Sequence, residues 1–289
     1  MKKMLIYLII ICALLVISSV LLDVGYTASF KNDIPRNKVQ LVANLKDRHI
    51  NFVFLGSSRV ENHIDCNLIT QLTGKSCINL GIQGGTIADS NVMMQMLNLN
   101  RVTYDKLLLQ VDYMHNINNN SPAFVSQLTP FLRSKRFSKE LAKRLTLPKI
   151  YDLPFVRYAI NEKYNGVREV VLQVFQKESS VDMYSGFNPL MGVGNDISGH
   201  FPDEIASSNA DLDEILATGD NVVLFTAPYC KNTLNRDEFI EALTIDYPQL
   251  KSFVDIFDDE EDNYANCGHL NMEGAQKFTH RITDDILRN

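Results

Sequence analysis

The chain has no pair of cysteines at the C-x-x-C spacing and no His/Cys spacing typical of a zinc site, so no structural metal is expected. It also lacks an excess of positive charge. With 28 Lys and Arg against 34 Asp and Glu, net −6, it has no polyanion-binding composition, and nucleic acid is excluded as a partner. Low-complexity tracts and a repeat period are missing too, which excludes disorder and solenoid architectures for its bulk. The 289 residues, 45% of them hydrophobic, suffice for one large domain, or one domain with an insertion, after the N-terminal segment.

Charge is absent from one long stretch. Lys2 and Lys3 precede an apolar run from Met4 to Leu22, ended by Asp23. A run this long spans a bilayer core as a helix, exceeds the usual signal-peptide core, and is followed by no clear small-x-small cleavage site. Residues 1–23 are therefore read as an uncleaved signal anchor, with cleavage near Ala28 or Ser29 as the alternative. In both cases the remainder lies outside the cytoplasm, in a bacterial periplasm or at the cell surface, with the N-terminus inside. Cys12 falls within the span, and Ile11 before it is too large for a lipoprotein cleavage site.

Four cysteines remain: Cys66, Cys77, Cys230 and Cys267. An even count in an oxidising compartment permits disulfides in three pairings, and four reduced thiols are the alternative. Cys230 follows an expected strand and Cys267 lies two residues before His269. A bridge between them would pin that loop, leaving Cys66 and Cys77 as the other pair.

Residues 24–48 read as a stalk and a first amphipathic helix. From residue 49 the chain alternates short apolar runs with amphipathic segments. Phe52–Leu55, Cys77–Leu80, Leu107–Val111, Val222–Thr226 and Phe253–Phe257 are expected strands. Helices are expected over Ile64–Leu72, stopped by Gly74; after Thr86, with Val92, Met93, Met96 and Leu97 on the apolar face; over Arg236–Leu243; and over Met272–Leu287 behind Asn271. Such alternation implies right-handed βαβ units and an α/β, doubly wound parallel sheet. Residues 113–205 break the rhythm with helical stretches at Ser138–Leu145 and Val167–Gln176, interrupted by prolines such as Pro122, Pro130, Pro148 and Pro154, and read as an inserted helical subdomain of the 49–289 domain.

Ligands of open α/β sheets collect at the carboxyl ends of the strands. There the chain places Gly56-Ser57-Ser58-Arg59 after the first strand and Gly81-Ile82-Gln83-Gly84-Gly85-Thr86 after the second. Asn266-Cys267-Gly268-His269-Leu270-Asn271 comes before the last helix. Alone, the first is a serine-capped turn, the second a tight glycine turn, and a single histidine is commonly a surface group. His49, His63, His115, His200 and His280 are read as surface or cap residues.

Taken in order, these motifs resemble the SGNH (GDSL-like) hydrolase family, a three-layer, flavodoxin-like fold. The resemblance covers Asn51 to Phe278 apart from the insertion. It implies Ser58 as nucleophile, with Ser57 standing where the family has Asp. Gly84 and the Ser58 N–H would supply the oxyanion hole, and His269 the base. The family's acid position, three residues before the histidine, holds Asn266, which orients an imidazole but lends it no charge. Asp262 is the alternative acid. The family's Gly-x-Asn-Asp block is replaced by Val111-Asp112-Tyr113-Met114-His115-Asn116, leaving Asn116 without a firm register. Single-span members with this pattern assist acylation of bacterial surface glycans, among them partners of membrane-bound O-acyltransferases and D-alanyl transfer proteins of teichoic-acid synthesis. The resemblance thus implies a serine esterase or O-acyltransferase acting on an envelope or exported polysaccharide. Its partners would be an acyl donor or acylated glycan, a membrane O-acyltransferase and the membrane itself, with no cofactor. The alternatives are a catalytically weak or inactive relative that binds a glycan or an acyltransferase, and an unrelated flavodoxin-like protein using the Gly56 turn as an anion site.

Overall fold

The computed structural model describes residues 2–194, 199–219 and 221–288; residues 195–198 of the expected insertion lie outside that range. Four parallel strands form the central sheet in the order β2-β1-β3-β4: β1 (His49–Leu55), β2 (Cys77–Asn79), β3 (Thr103–Gln110) and β4 (Val222–Phe225). Pairings such as Val53 with Leu107 and Phe54 with Asn79 set the register. Because strand side chains alternate, the central strands feed two cores. Val53, Leu55, Leu107 and Leu109 face one hydrophobic cluster, while Phe52, Phe54 and Leu108 face the other.

The first cluster is covered by α2 (Lys38–Asn44), α5 (Ile87–Leu99), α11 (Ala210–Leu216) and α12 (Arg236–Asp246). The second is covered by α3 (Ser58–His63), α4 (Cys66–Thr73) and α13 (Met272–Ile282), giving three layers. Helix ends follow local chemistry. Thr86 and Asp89 form a reciprocal capping box at the start of α5, and Gly74, at φ 69°, closes α4 in the left-handed conformation.

The expected strand at Phe253–Phe257 does not form. Lys251 makes two main-chain bonds at the end of β4, donating to Leu224 O and accepting from Thr226 N just beyond the strand. The Phe253 N–H then turns to the Thr226 hydroxyl at 2.8 Å, so the ladder ends after one bridge and the apolar run folds as consecutive turns. Its phenylalanines are buried all the same, which explains why composition resembled a strand.

Helix α1 (Lys2–Ser29) is long and apolar enough to cross a membrane. It runs through Asp23, which is buried against the inserted segment and accepts from both Arg157 Nη2 at 2.7 Å and Arg157 Nε at 3.0 Å. A carboxylate so paired has no need of water, so it does not end the helix. The residues expected as a stalk therefore comprise the end of α1, a turn, and the buried helix α2. The stretch expected as an insertion, between β3 and β4, holds α6 (Pro122–Leu128), α7 (Ser138–Arg144), α8 (Val156–Ala159), α9 (Glu162–Asn165) and α10 (Val167–Val174). Disulfides join Cys66 to Cys77 and Cys230 to Cys267; with α1 they point to an exported domain.

Candidate active site

Ser57 caps α3, its hydroxyl accepting from Arg59 N, and so sets Ser58 in the first turn at the carboxyl end of β1. Gln110, the last residue of β3, holds that cap: its Oε1 accepts from Ser57 N at 3.0 Å and from Ser57 Oγ at 2.9 Å. Gly56 and Gly81 make the turn compact. A Cβ on Gly56 would collide with Val60 and Gln110, and one on Gly81 with the backbone of Ser57 and Glu61.

His269 arrives from the other end of the chain. Strands β5 (Tyr264–Asn266) and β6 (His269–Leu270) pair antiparallel around a two-residue turn, Cys267-Gly268. Cys267 is bonded to Cys230, and its carbonyl accepts from Cys230 N at 3.0 Å, so the turn is tied to the segment after β4. His269 Nε2 stands 2.7 Å from Ser58 Oγ, across 211 residues of sequence.

Asn266 Oδ1 accepts from Gly268 N at 3.1 Å and lies 3.0 Å from His269 Nδ1. The Gly268 N–H, an obligate donor, identifies the facing amide atom as oxygen, so Nδ1 carries the proton and Nε2 is left to accept from Ser58. This tautomer leaves Nε2 free to take a proton from Ser58 Oγ; what Asn266 cannot supply is charge. Asp262 is exposed on the preceding turn, where its carbonyl accepts from Asn271 Nδ2, and the His269 Nδ1 it would need is already engaged by Asn266.

The Val111–Asn116 block has a different use from the family's. Asp112 is fully buried and accepts from Gln110 Nε2 at 2.6 Å, Tyr229 OH at 2.8 Å and Met114 N at 3.0 Å. Arg59 Nη1 lies 3.7 Å away, with its guanidinium over the Tyr229 ring at 4.1 Å and near that of Tyr113 at 5.2 Å. This buried cation stands beside the Ser58–His269 pair, and among the described residues its Nε has no hydrogen-bond partner. Asn116 faces elsewhere: its amide bonds Glu204 O and Ala206 N. The Gly84 loop is stitched to the Gly56 turn through Ile82 N and Gly56 O at 3.1 Å, and Gly84 itself is exposed with φ 67°.

His63 and His115 are buried, not surface groups. His63 Nε2 accepts from Leu270 N at 2.9 Å and its ring meets that of His269 edge to face at 6.0 Å. It is thus a positioning residue for the histidine loop. Nothing periodic marks it in sequence, since α3 is only six residues long.

Burial, and then the Arg59 charge, depress His269 to about 4; His63 is pushed well below its usual value by burial, then by His269 and Arg59. Both folded values lie below the ordinary 6.5, so the unfolded chain binds more protons between those limits. Stability should hold above pH 6.5 and fall as pH drops toward 4. Thermal melting across that range checks this, and His269→Gln should flatten part of the slope; a pH-independent melting temperature would count against neutral buried histidines.

No protein-family model and no curated protein matches the chain. Among solved structures it matches a Streptococcus pneumonia protein provisionally described as a platelet activating factor. The identity is 12% and the TM-score 0.35, over 96% of this chain and 97% of that one.

Proposed function

We propose that this chain is an SGNH-type serine esterase or O-acyltransferase, acting outside the cytoplasm on acyl groups carried by an envelope or exported polysaccharide. The observation that carries the reading is the 2.7 Å contact between Ser58 Oγ and His269 Nε2 at the carboxyl edge of the sheet. In the first step Ser58 Oγ attacks the acyl carbonyl while His269 Nε2 takes its proton. The N–H groups of Ser58 and Gly84 receive the developing oxyanion. Collapse breaks the ester bond, His269 returns the proton to the departing alcohol, and the acyl group stays on Ser58. Water then completes hydrolysis, or a sugar hydroxyl completes transfer, with His269 again accepting the proton. An acyl donor, or a membrane O-acyltransferase that presents one, is the expected partner.

A second reading, a weak or inactive relative that binds a glycan or an acyltransferase, is favoured by one feature: Asn266 leaves imidazolium uncompensated beside the Arg59 charge. A fluorophosphonate probe separates the two. Covalent labelling of wild type and none of Ser58→Ala is expected; equal labelling of both, or none of either, would remove Ser58 as a reactive group. A kcat/KM profile should lose activity on the acid side near pH 4, where His269 gains its proton, and not near 6.5.

A further inference from the structure

Helix α10 is built inside out. Two of its polar side chains, Glu169 and Gln173, face the protein: Glu169 Oε1 accepts from Arg36 Nε at 2.7 Å, and Gln173 bonds Asn32 at 2.6 Å and Gln40 at 3.1 Å. Val167, Val171 and Val174, at i, i+4 and i+7 on one face, point outward with 66%, 45% and 62% exposure, and Phe175 follows at 71%. Neighbouring parts of the insertion repeat the pattern, with Ile150, Leu153 and Ile160 exposed about as far. A surface meant for water would carry the opposite arrangement.

The position of this face in the molecule identifies what covers it. Both α8 and α10 pack on α1. The junction is held by several contacts: besides the Asp23–Arg157 pair, Asp23 accepts from Phe155 N at 2.8 Å, Thr27 Oγ1 meets Tyr158 OH at 2.8 Å, and Tyr26 packs on Phe155 and Tyr158. The apolar run Met4–Leu22 rises about 29 Å as a helix, the thickness of a bilayer core. It ends at the level where the insertion grips α1, which puts the outward apolar face at the membrane surface. Charge agrees. Between Arg133 and Lys177 there are 11 Lys and Arg against 4 Asp and Glu, a balance of +7 in a chain of net −6. Lys149, Lys163, Arg168 and Lys177 are exposed on or beside the same elements.

We infer that residues 149–177 form a collar around the membrane end of α1, its valine face seated in the headgroup and acyl boundary of an anionic bilayer. Basic side chains around an apolar face are the composition of an interfacial helix. The collar also requires α1 to be retained, because cleavage near Ala28 would strip buried Arg157 of its counter-ion. This inference is independent of the chemistry at Ser58 and fixes the height and orientation of the domain above the membrane.

The chain has no tryptophan, so one introduced residue is a clean reporter. Full-length Val171→Trp would be reconstituted in vesicles of phosphatidylcholine and phosphatidylglycerol, with lipids brominated at defined acyl depths. Ile245→Trp, on the 72% exposed position of α12, serves as the control. Blue-shifted emission, quenching by shallow-brominated lipid, and about threefold less quenching by acrylamide than the control are expected for Val171→Trp. Equal acrylamide quenching of the two would overturn the collar. So would protection without any bromine quenching, which would put protein, such as a second copy, on that face. Val167→Trp repeats the measurement one turn away, and labelling at Ser58 plays no part in the readout.

Discussion

Asn266→Asp is expected to raise turnover on an acyl ester by about 10² to 10³-fold. In a serine-protease triad, replacing the aspartate by asparagine costs about 10⁴, partly because the imidazole is then held in the wrong tautomer. Here the tautomer is already correct, since Asn266 Oδ1 is fixed by Gly268 N and faces His269 Nδ1. Only the charge is missing. A carboxylate at this position keeps both hydrogen bonds, opposes the Arg59 field, and stabilises the imidazolium formed as Ser58 attacks. It should also lift His269 from about 4 toward its ordinary range, moving the acid limb of the pH profile upward. Steady-state kinetics on a chromogenic acetyl ester, with the His269 titration followed by NMR, checks both effects. Unchanged turnover in a folded Asn266→Asp protein would mean that charge at this position does not limit the reaction.

The second large effect concerns Ser58 and depends on the first. Groups that act as one unit are strongly non-additive, and a triad already lacking its acid has less left to lose. Ser58→Ala should therefore cost about 10²-fold in the native background but on the order of 10⁴-fold or more when Asn266 is Asp. The double-mutant cycle measures that coupling directly. Equal losses in the two backgrounds would show Ser58 and the Asn266 position acting separately, contrary to a relay through the 2.7 Å and 3.0 Å contacts of His269.

Short-range features of the fold could be read from the chain because their causes are local. The Phe52–Leu55 run, the Thr86 cap and the Gly74 stop each report sterics or hydrogen bonds within a few residues. The Phe253–Phe257 segment was misjudged for the same reason. Its composition records burial, whereas strand formation depended on whether β4 or the Thr226 hydroxyl received its N–H groups. The buried roles of His63, Asp112 and Arg59 were likewise hidden. Each is defined by a partner far along the chain: Leu270 for His63 and Tyr229 for the other two.

By itself, the order of residues determined an apolar N-terminal helix, an alternating α/β pattern, and the chemical types available at each strand's end, because periodicity, capping and composition act over a turn or two. Folding in three dimensions decided which of those groups meet. It joined Ser58 to His269, oriented the ring through Asn266, set a buried arginine beside the pair, and turned the valine face of α10 outward. Such meetings depend on sheet order, disulfide ties and buried charge pairing between distant segments, and no local pattern encodes a distance across 211 residues.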